Sequence, residues 1–314
     1  MVLDLTLALR TRGDIEANVK STTLKRSADC GEWCFVPNLF AAIFLTTIAL
    51  LIGSPSSAGE TLGRIVELET PLARSPPLQG YLRQPGGRGP SPAVVLLHGC
   101  AGNWRRLDER WGKPIASWGY VTLAVDSFGP RGIENTCSNG APVDLAYDAY
   151  RALDFLVKQP FVDPDHVAVL GFSQGGRLAL TSVEHGSLEQ TSRSKFRAAV
   201  AFYPPCRAFR GNMTVPTLIL VGELDDWTPA DDCRDMVEGR EDWGVSRQKG
   251  DGMPIRLIVY PGAYHAFDSP ALREPIQYFG HHLEFNQEAA DRAAEALRDF
   301  LAATIGGKQQ EPAK

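Results

Sequence analysis

Six short runs of apolar, β-branched-rich sequence recur along the chain, at 92–98, 120–128, 166–172, 196–203, 216–222 and 255–260. They are near-continuous rather than alternating, which is the pattern of strands buried on both faces. Helical patterns lie between them at 103–117, 142–158, 174–186 and 229–240, and another follows at 285–303. In the second of these, Val143, Tyr147, Tyr150, Leu153 and Val157 recur at three- and four-residue spacing, so they share one face. The last places Ala290, Ala294, Leu297 and Leu301 together in the same way. Strands that alternate with helices predict an α/β fold: a mostly parallel sheet with helices on both faces and ligands at the carboxyl ends of its strands. Ahead of this pattern, 63–70 and 79–83 read as an antiparallel hairpin pair.

The composition permits such a fold. The chain has 314 residues, 44% of them hydrophobic and 22% charged, enough to bury a large core. Its 32 basic and 37 acidic residues give a net charge of −5. No basic surplus exists to neutralise a phosphate backbone, so nucleic acid is not an expected partner.

One segment stands apart. Leu39 to Ile52 is an uncharged apolar run of 14 residues. A spanning helix needs about 20, whereas the core of a signal peptide needs about 7–15. Lys20, Lys25 and Arg26 precede the run, and Ser56 and Ala58 fit a cleavage site before Gly59. The expected organisation is therefore a 1–58 extension with an export signal at 39–58, a catalytic domain at 59–306 and a polar tail at 307–314. The expected location is periplasmic or secreted, without a stable membrane span. Retention of 39–52 as an uncleaved anchor is the alternative. Cys100, Cys137, Cys206 and Cys233 fall within the mature part. Each follows a predicted strand, and pairing within each successive couple suits an oxidising compartment. Four free thiols are the alternative.

The chemistry centres on Gly171-Phe172-Ser173-Gln174-Gly175, which lies between a buried strand and a helix. Reversing the chain there exposes the central side chain and requires small residues on either side. A serine hydroxyl needs an adjacent base. Of six histidines, His265 lies just past the last predicted strand, at the same sheet edge as Ser173, and is the expected base. His281 and His282 read as an isolated pair without matching carboxylates, so no metal is expected. The loop after 216–222 offers Asp225 as the third member, with Asp226 as its competitor. The chain order is then Ser, Asp, His. The loop His98-Gly99-Cys100-Ala101-Gly102 is placed to supply an oxyanion donor, with Cys100 N–H the first choice, Ala101 the fallback and Gln174 N–H the second donor.

Together HGCAG, DSFGPRG, GFSQGG, YPPC, GELDDWTP and YPGAYHAFD resemble the dienelactone hydrolase family of α/β-hydrolases, from about Arg64 to Leu301. The resemblance implies a sheet of about eight strands and carries the triad onto Ser173, Asp225 and His265. It favours Asp225 over Asp226, because the family's acid stands four residues before a proline, here Pro229. Three departures bear on substrate. Ser173 stands where the family has a cysteine nucleophile. HGCAG replaces a loop that carries a glutamate, and Ser269 replaces a substrate-binding arginine. Arg131 in the GPRG loop could reach a substrate anion or pair with a neighbouring carboxylate. The expected activity is hydrolysis of a small ester or lactone through an acyl-enzyme, without cofactor or metal. A prolyl-oligopeptidase-type serine peptidase and a non-catalytic hydrolase-fold binding protein are the alternatives.

Overall fold

The computed structural model describes residues 63–69, 78–87, 89–138, 140, 145–241 and 245–306. They belong to one compact unit, Pro55–Lys314. The signal-like segment, Val143 and the polar tail lie outside the described residues.

Eight strands form one sheet. They are β1 (Gly63–Leu68), β2 (Leu78–Arg83), β3 (Ser91–Leu97), β4 (Val121–Asp126), β5 (Val162–Phe172), β6 (Ala198–Phe202), β7 (Thr217–Gly222) and β8 (Ile255–Tyr260), in the order β1-β2-β4-β3-β5-β6-β7-β8. β1 pairs antiparallel with β2, and β2 antiparallel with β4; every later pairing is parallel. This is the mostly parallel sheet that the continuous apolar runs predict. β5 begins at Val162, ahead of the predicted 166, because its polar lead-in continues the ladder through an irregularity opposite Ser91 and Ala93.

Neighbouring side chains on each strand enter opposite cores. Val95 and Leu97 of β3 pack with helices α3 (Leu145–Leu156) and α4 (Gln174–Val183). Val94 and Leu96 pack on the other face with Trp111, Ile115 and helix α7 (Gln287–Thr304). The segment predicted as one helix over 103–117 is a continuous helical run that widens into a π turn at Asp108–Gly112, between α1 (Trp104–Leu107) and α2 (Lys113–Ser117). Asp108 is buried there, and the guanidinium of Arg83 donates to it from Nε (2.8 Å) and Nη2 (2.7 Å). Gly112 leaves the space its carboxylate fills, since a Cβ there would sit 2.5 Å from Asp108 Oδ1.

Short elements escaped the periodicity reading. Helix α5 is one (Ser187–Thr191), and it precedes α6 (Ala230–Glu238). The hairpin of β9 (Ile276–Tyr278) and β10 (His281–Leu283) is another, and it joins the candidate site. Two disulfides are present, Cys100–Cys137 and Cys206–Cys233. These are the pairings expected from position along the strands.

Candidate active site

Ser173 closes β5 and opens α4 with φ 52° and ψ −116°, a left-handed backbone that few non-glycine residues adopt. The approach around it is close. A Cβ on Gly171 would lie 1.9 Å from Gly175 O, and one on Gly175 would lie 2.2 Å from Leu97 O. Both positions therefore require glycine, and the turn they permit directs Ser173 to the carboxyl edge of the sheet. Ser173 N–H donates to Phe202 O at 2.9 Å, which ties the turn to β6.

The structure brings Ser173, His265 and Asp225 together. His265 Nε2 lies 3.0 Å from Ser173 Oγ, and its Nδ1 lies 2.8 Å from Asp225 Oδ2. The imidazole and the carboxylate are both buried, with side-chain exposures of 3% and 0%. The carboxylate fixes the tautomer: Nδ1–H donates to it, leaving Nε2 as the acceptor for the serine proton. Asp225 Oδ1 also accepts from the N–H groups of Trp227 (3.0 Å) and Thr228 (2.8 Å).

Asp226, the competing acid, goes elsewhere. Its half-exposed carboxylate accepts from His282 N–H at 3.3 Å and lies 3.5 Å from His281 Nδ1. Glu284 Oε2 lies 2.9 Å from His282 Nε2. The expectation that the two histidines lack carboxylate neighbours is thus corrected. A hairpin distant in sequence from Asp226 folds against its loop, a contact that local spacing does not encode. No cluster of three metal-ligating side chains occurs among the described residues.

The HGCAG loop passes against Ser173, and a Cβ on Gly99 would meet Ser173 Cβ at 3.5 Å. Cys100 follows directly. On the other flank of Ser173, Gln174 is the first residue of α4, where helical N–H groups have no partner within the helix. A second loop clasps both. Thr136 N–H donates to Cys100 O (2.9 Å), Thr136 Oγ1 donates to Gln174 Oε1 (2.7 Å), and Cys137 is bonded to Cys100. His98, just before this loop, is buried against Phe128 with Nδ1 2.9 Å from Gly99 O and no partner on Nε2. Burial pushes its pKa below the ordinary value, against weaker opposing effects of the Gly99 carbonyl, Asp126 and Asp148.

Arg131 takes the paired role of its two. Its Nη1 and Nη2 donate to the two oxygens of Asp148 at 2.6 and 2.8 Å, and Nη1 donates to Ser127 O. Its fork is occupied by a wholly buried carboxylate, so its assignment as a substrate ligand is replaced by a structural one.

Three residues contribute in ways that spacing did not signal. Thr228 Oγ1 lies 2.9 Å from Asp225 Oδ2 and 3.1 Å from His265 Nδ1, bracing both. Tyr203 packs its ring on His265 (4.7 Å between centroids) and donates its hydroxyl to Asp268 Oδ1 at 2.7 Å. Burial, reinforced by the Asp268 charge, pushes that phenol well above its usual pKa and keeps it a donor. Asp268 also accepts from Trp111 Nε1 (2.7 Å) and lies 3.2 Å from Arg110 Nε. Each lies in a motif that carries the family resemblance, GELDDWTP, YPPC or YPGAYHAFD, but the motifs did not indicate these contacts.

The model of the dienelactone hydrolase family matches residues 78–305. The chain belongs to the dienelactone hydrolase family. Among curated proteins, human acyl-coenzyme A thioesterase 6 is 32% identical over 108 residues, 34% of this chain and 24% of that protein. The putative esterase NocK of Nocardia uniformis subsp. tsuyamanensis is 29% identical over 161 residues, 47% of this chain and 43% of that one. The chain thus spans less than half the length of these curated relatives. Among solved structures, the dienelactone hydrolase-like promiscuous phosphotriesterase P91 from metagenomic libraries superposes with a TM-score of 0.61 at 21% identity. That match covers 79% of this chain and all of P91, and shows the shared α/β-hydrolase fold.

Proposed function

We propose that this dienelactone hydrolase family member is a serine hydrolase that cleaves a small carboxylic ester or lactone through an acyl-enzyme. The observation that carries the reading is the buried relay from Asp225 through His265 to Ser173, with gaps of 2.8 and 3.0 Å. His265 Nε2 removes the hydroxyl proton as Ser173 Oγ bonds to the carbonyl carbon. The carbonyl oxygen gains the electron pair, and the N–H groups of Cys100 and Gln174 receive it. Collapse of the tetrahedral adduct breaks the bond to the leaving oxygen, which takes its proton from His265. Water, deprotonated by the same imidazole, then releases the acid and restores Ser173. The relatives named as a thioesterase and a putative esterase are consistent with attack on an acyl carbon. The reading includes export to an oxidising compartment, supported by the disulfides at Cys100–Cys137 and Cys206–Cys233.

The test is hydrolysis of p-nitrophenyl acetate and butyrate by the full-length chain and by Ser173→Ala. The variant is expected to lose kcat by several powers of ten, in the manner of nucleophile removal in other serine hydrolases, and to resist a fluorophosphonate label. Turnover at the wild-type rate in Ser173→Ala would refute the mechanism.

A further inference from the structure

Aromatic rings extend outward from the triad in an unbroken series. Trp227 packs against the His265 imidazole with centroids 5.1 Å apart. It also stacks on His281 at 4.7 Å and 10° between planes, and lies 6.0 Å from Tyr278 and 6.4 Å from Phe279. Tyr278 and Phe279 meet edge to face at 4.7 Å. Exposure rises along the series, from buried His265 through half-buried Trp227 to Phe279 at 51%.

The outer members stand on the β9–β10 hairpin, whose two-residue turn is Phe279-Gly280 with φ 51° and 84°. Asn-Gly or Asp-Gly is the usual choice for a turn with both residues left-handed. Phenylalanine in the first place holds a bulky ring in a conformation such residues rarely adopt, and leaves it in water. Neither feature helps the chain fold, and strain of this kind collects at functional sites. The hairpin is anchored to the triad loops: Asp226 accepts from His282 N–H, Tyr264 packs on the His282 ring at 4.1 Å, and Leu283 bridges to His265.

We propose that Trp227, Tyr278, Phe279 and His281 form the leaving-group subsite, and that it takes the planar aromatic ring of an aryl or arylmethyl ester. The proposal rests on the serine hydrolase reading. In that reaction His265 Nε2 gives its proton to the departing oxygen, so the alcohol half of the ester sits beside the imidazole. The carbonyl oxygen sits across Ser173, at the Cys100 and Gln174 amides. The ring series begins at the imidazole, the group that hands its proton to the alcohol half. Its rings suit a planar partner by offset or edge-to-face packing, a gain beyond area burial that an aliphatic alcohol does not make. The carboxylate that touches the series, Asp226 beside His281, selects a neutral leaving group over an anionic one.

The experiment measures kcat/KM for benzyl, cyclohexylmethyl and ethyl acetate with full-length wild type, Phe279→Gly and Trp227→Leu. Taking each protein's own ethyl acetate value as reference cancels any general loss of catalysis, and comparing that ratio between proteins cancels the intrinsic reactivity of the esters. Glycine suits the φ of position 279, so that variant keeps the turn. Wild type is expected to favour benzyl over cyclohexylmethyl and over ethyl acetate, and each substitution to reduce the benzyl preference by roughly three- to tenfold. If turnover persists but the preference in both variants stays at the wild-type level, or if benzyl and cyclohexylmethyl esters behave alike throughout, the aromatic subsite is refuted and the hydrolase reading stands. If no ester is turned over in a Ser173-dependent way, the hydrolase reading fails and the subsite with it.

Discussion

Replacing Cys100 and Cys137 together by serine should separate two roles of one disulfide. The bridge closes a loop with a sequence separation of 37, and the chain-entropy model assigns such a loop about 4 kcal/mol of stabilisation. In a domain of this size that corresponds to a fall in Tm of roughly 8–16 °C. The Cys206–Cys233 bridge, with a separation of 27, should be worth nearly as much, about 3.5 kcal/mol. The two differ in what they hold. Cys100 carries the proposed oxyanion N–H, and its partner adjoins Thr136, whose hydroxyl fixes the Gln174 side chain. Loss of an oxyanion donor outright costs about a hundred- to a thousandfold in kcat. Slackening the loop that presents the donor should cost less, roughly ten- to a hundredfold. The Cys206→Ser, Cys233→Ser double variant should lose stability without a comparable loss of kcat. The assay is p-nitrophenyl acetate turnover at a temperature where all three proteins remain folded by circular dichroism, with Tm measured alongside. Wild-type kcat in the Cys100, Cys137 double variant, or equal loss in both, would refute the argument that the disulfide positions the oxyanion amide.

Two further outcomes follow from the same geometry. Asp225→Asn should lower kcat by about four powers of ten, because the imidazole loses its orienting charge; Asp226→Asn should leave p-nitrophenyl acetate hydrolysis nearly intact, and the reverse ranking would reassign the acid. Because burial lowers the pKa of His98 in the folded state, the unfolded chain binds the extra proton first, and stability should fall as pH drops below the ordinary 6.5. The contribution reaches at most about 1.4 kcal/mol per pH unit below that value. Urea midpoints of wild type and His98→Gln between about pH 7 and pH 5 should diverge accordingly, and parallel profiles would show that His98 takes up its proton equally in both states.

The relation between sequence and structure is uneven for physical reasons. Periodicity reports what a residue's own element buries, so the apolar runs made six strands and the longer helices legible; the antiparallel pair read as a hairpin, and the count of about eight came from the family resemblance. The glycines around Ser173 were legible as well, because a strand that turns into a helix so sharply allows no other residue there. His265 followed from its place past the last strand of the main sheet. The distance to Pro229 favoured Asp225 over Asp226 through family resemblance, not through the chemistry of the two residues, which is the same. Contacts between distant segments are a different matter. Nothing in the spacing of Thr136 indicates that it will sit between Cys100 and Gln174, or that Arg131 will spend its fork on Asp148. The β9–β10 strands have three residues each, too few for a period to register, and their meeting with Asp226 and Trp227 depends on how the last loop folds back over the sheet edge. The sequence by itself determined the layered fold, the glycine-flanked turn at Ser173 and the place of His265 at the same sheet edge. Tertiary packing alone decided what braces the HGCAG loop and which rings surround His265, because those depend on contacts made only once the sheet edge is assembled.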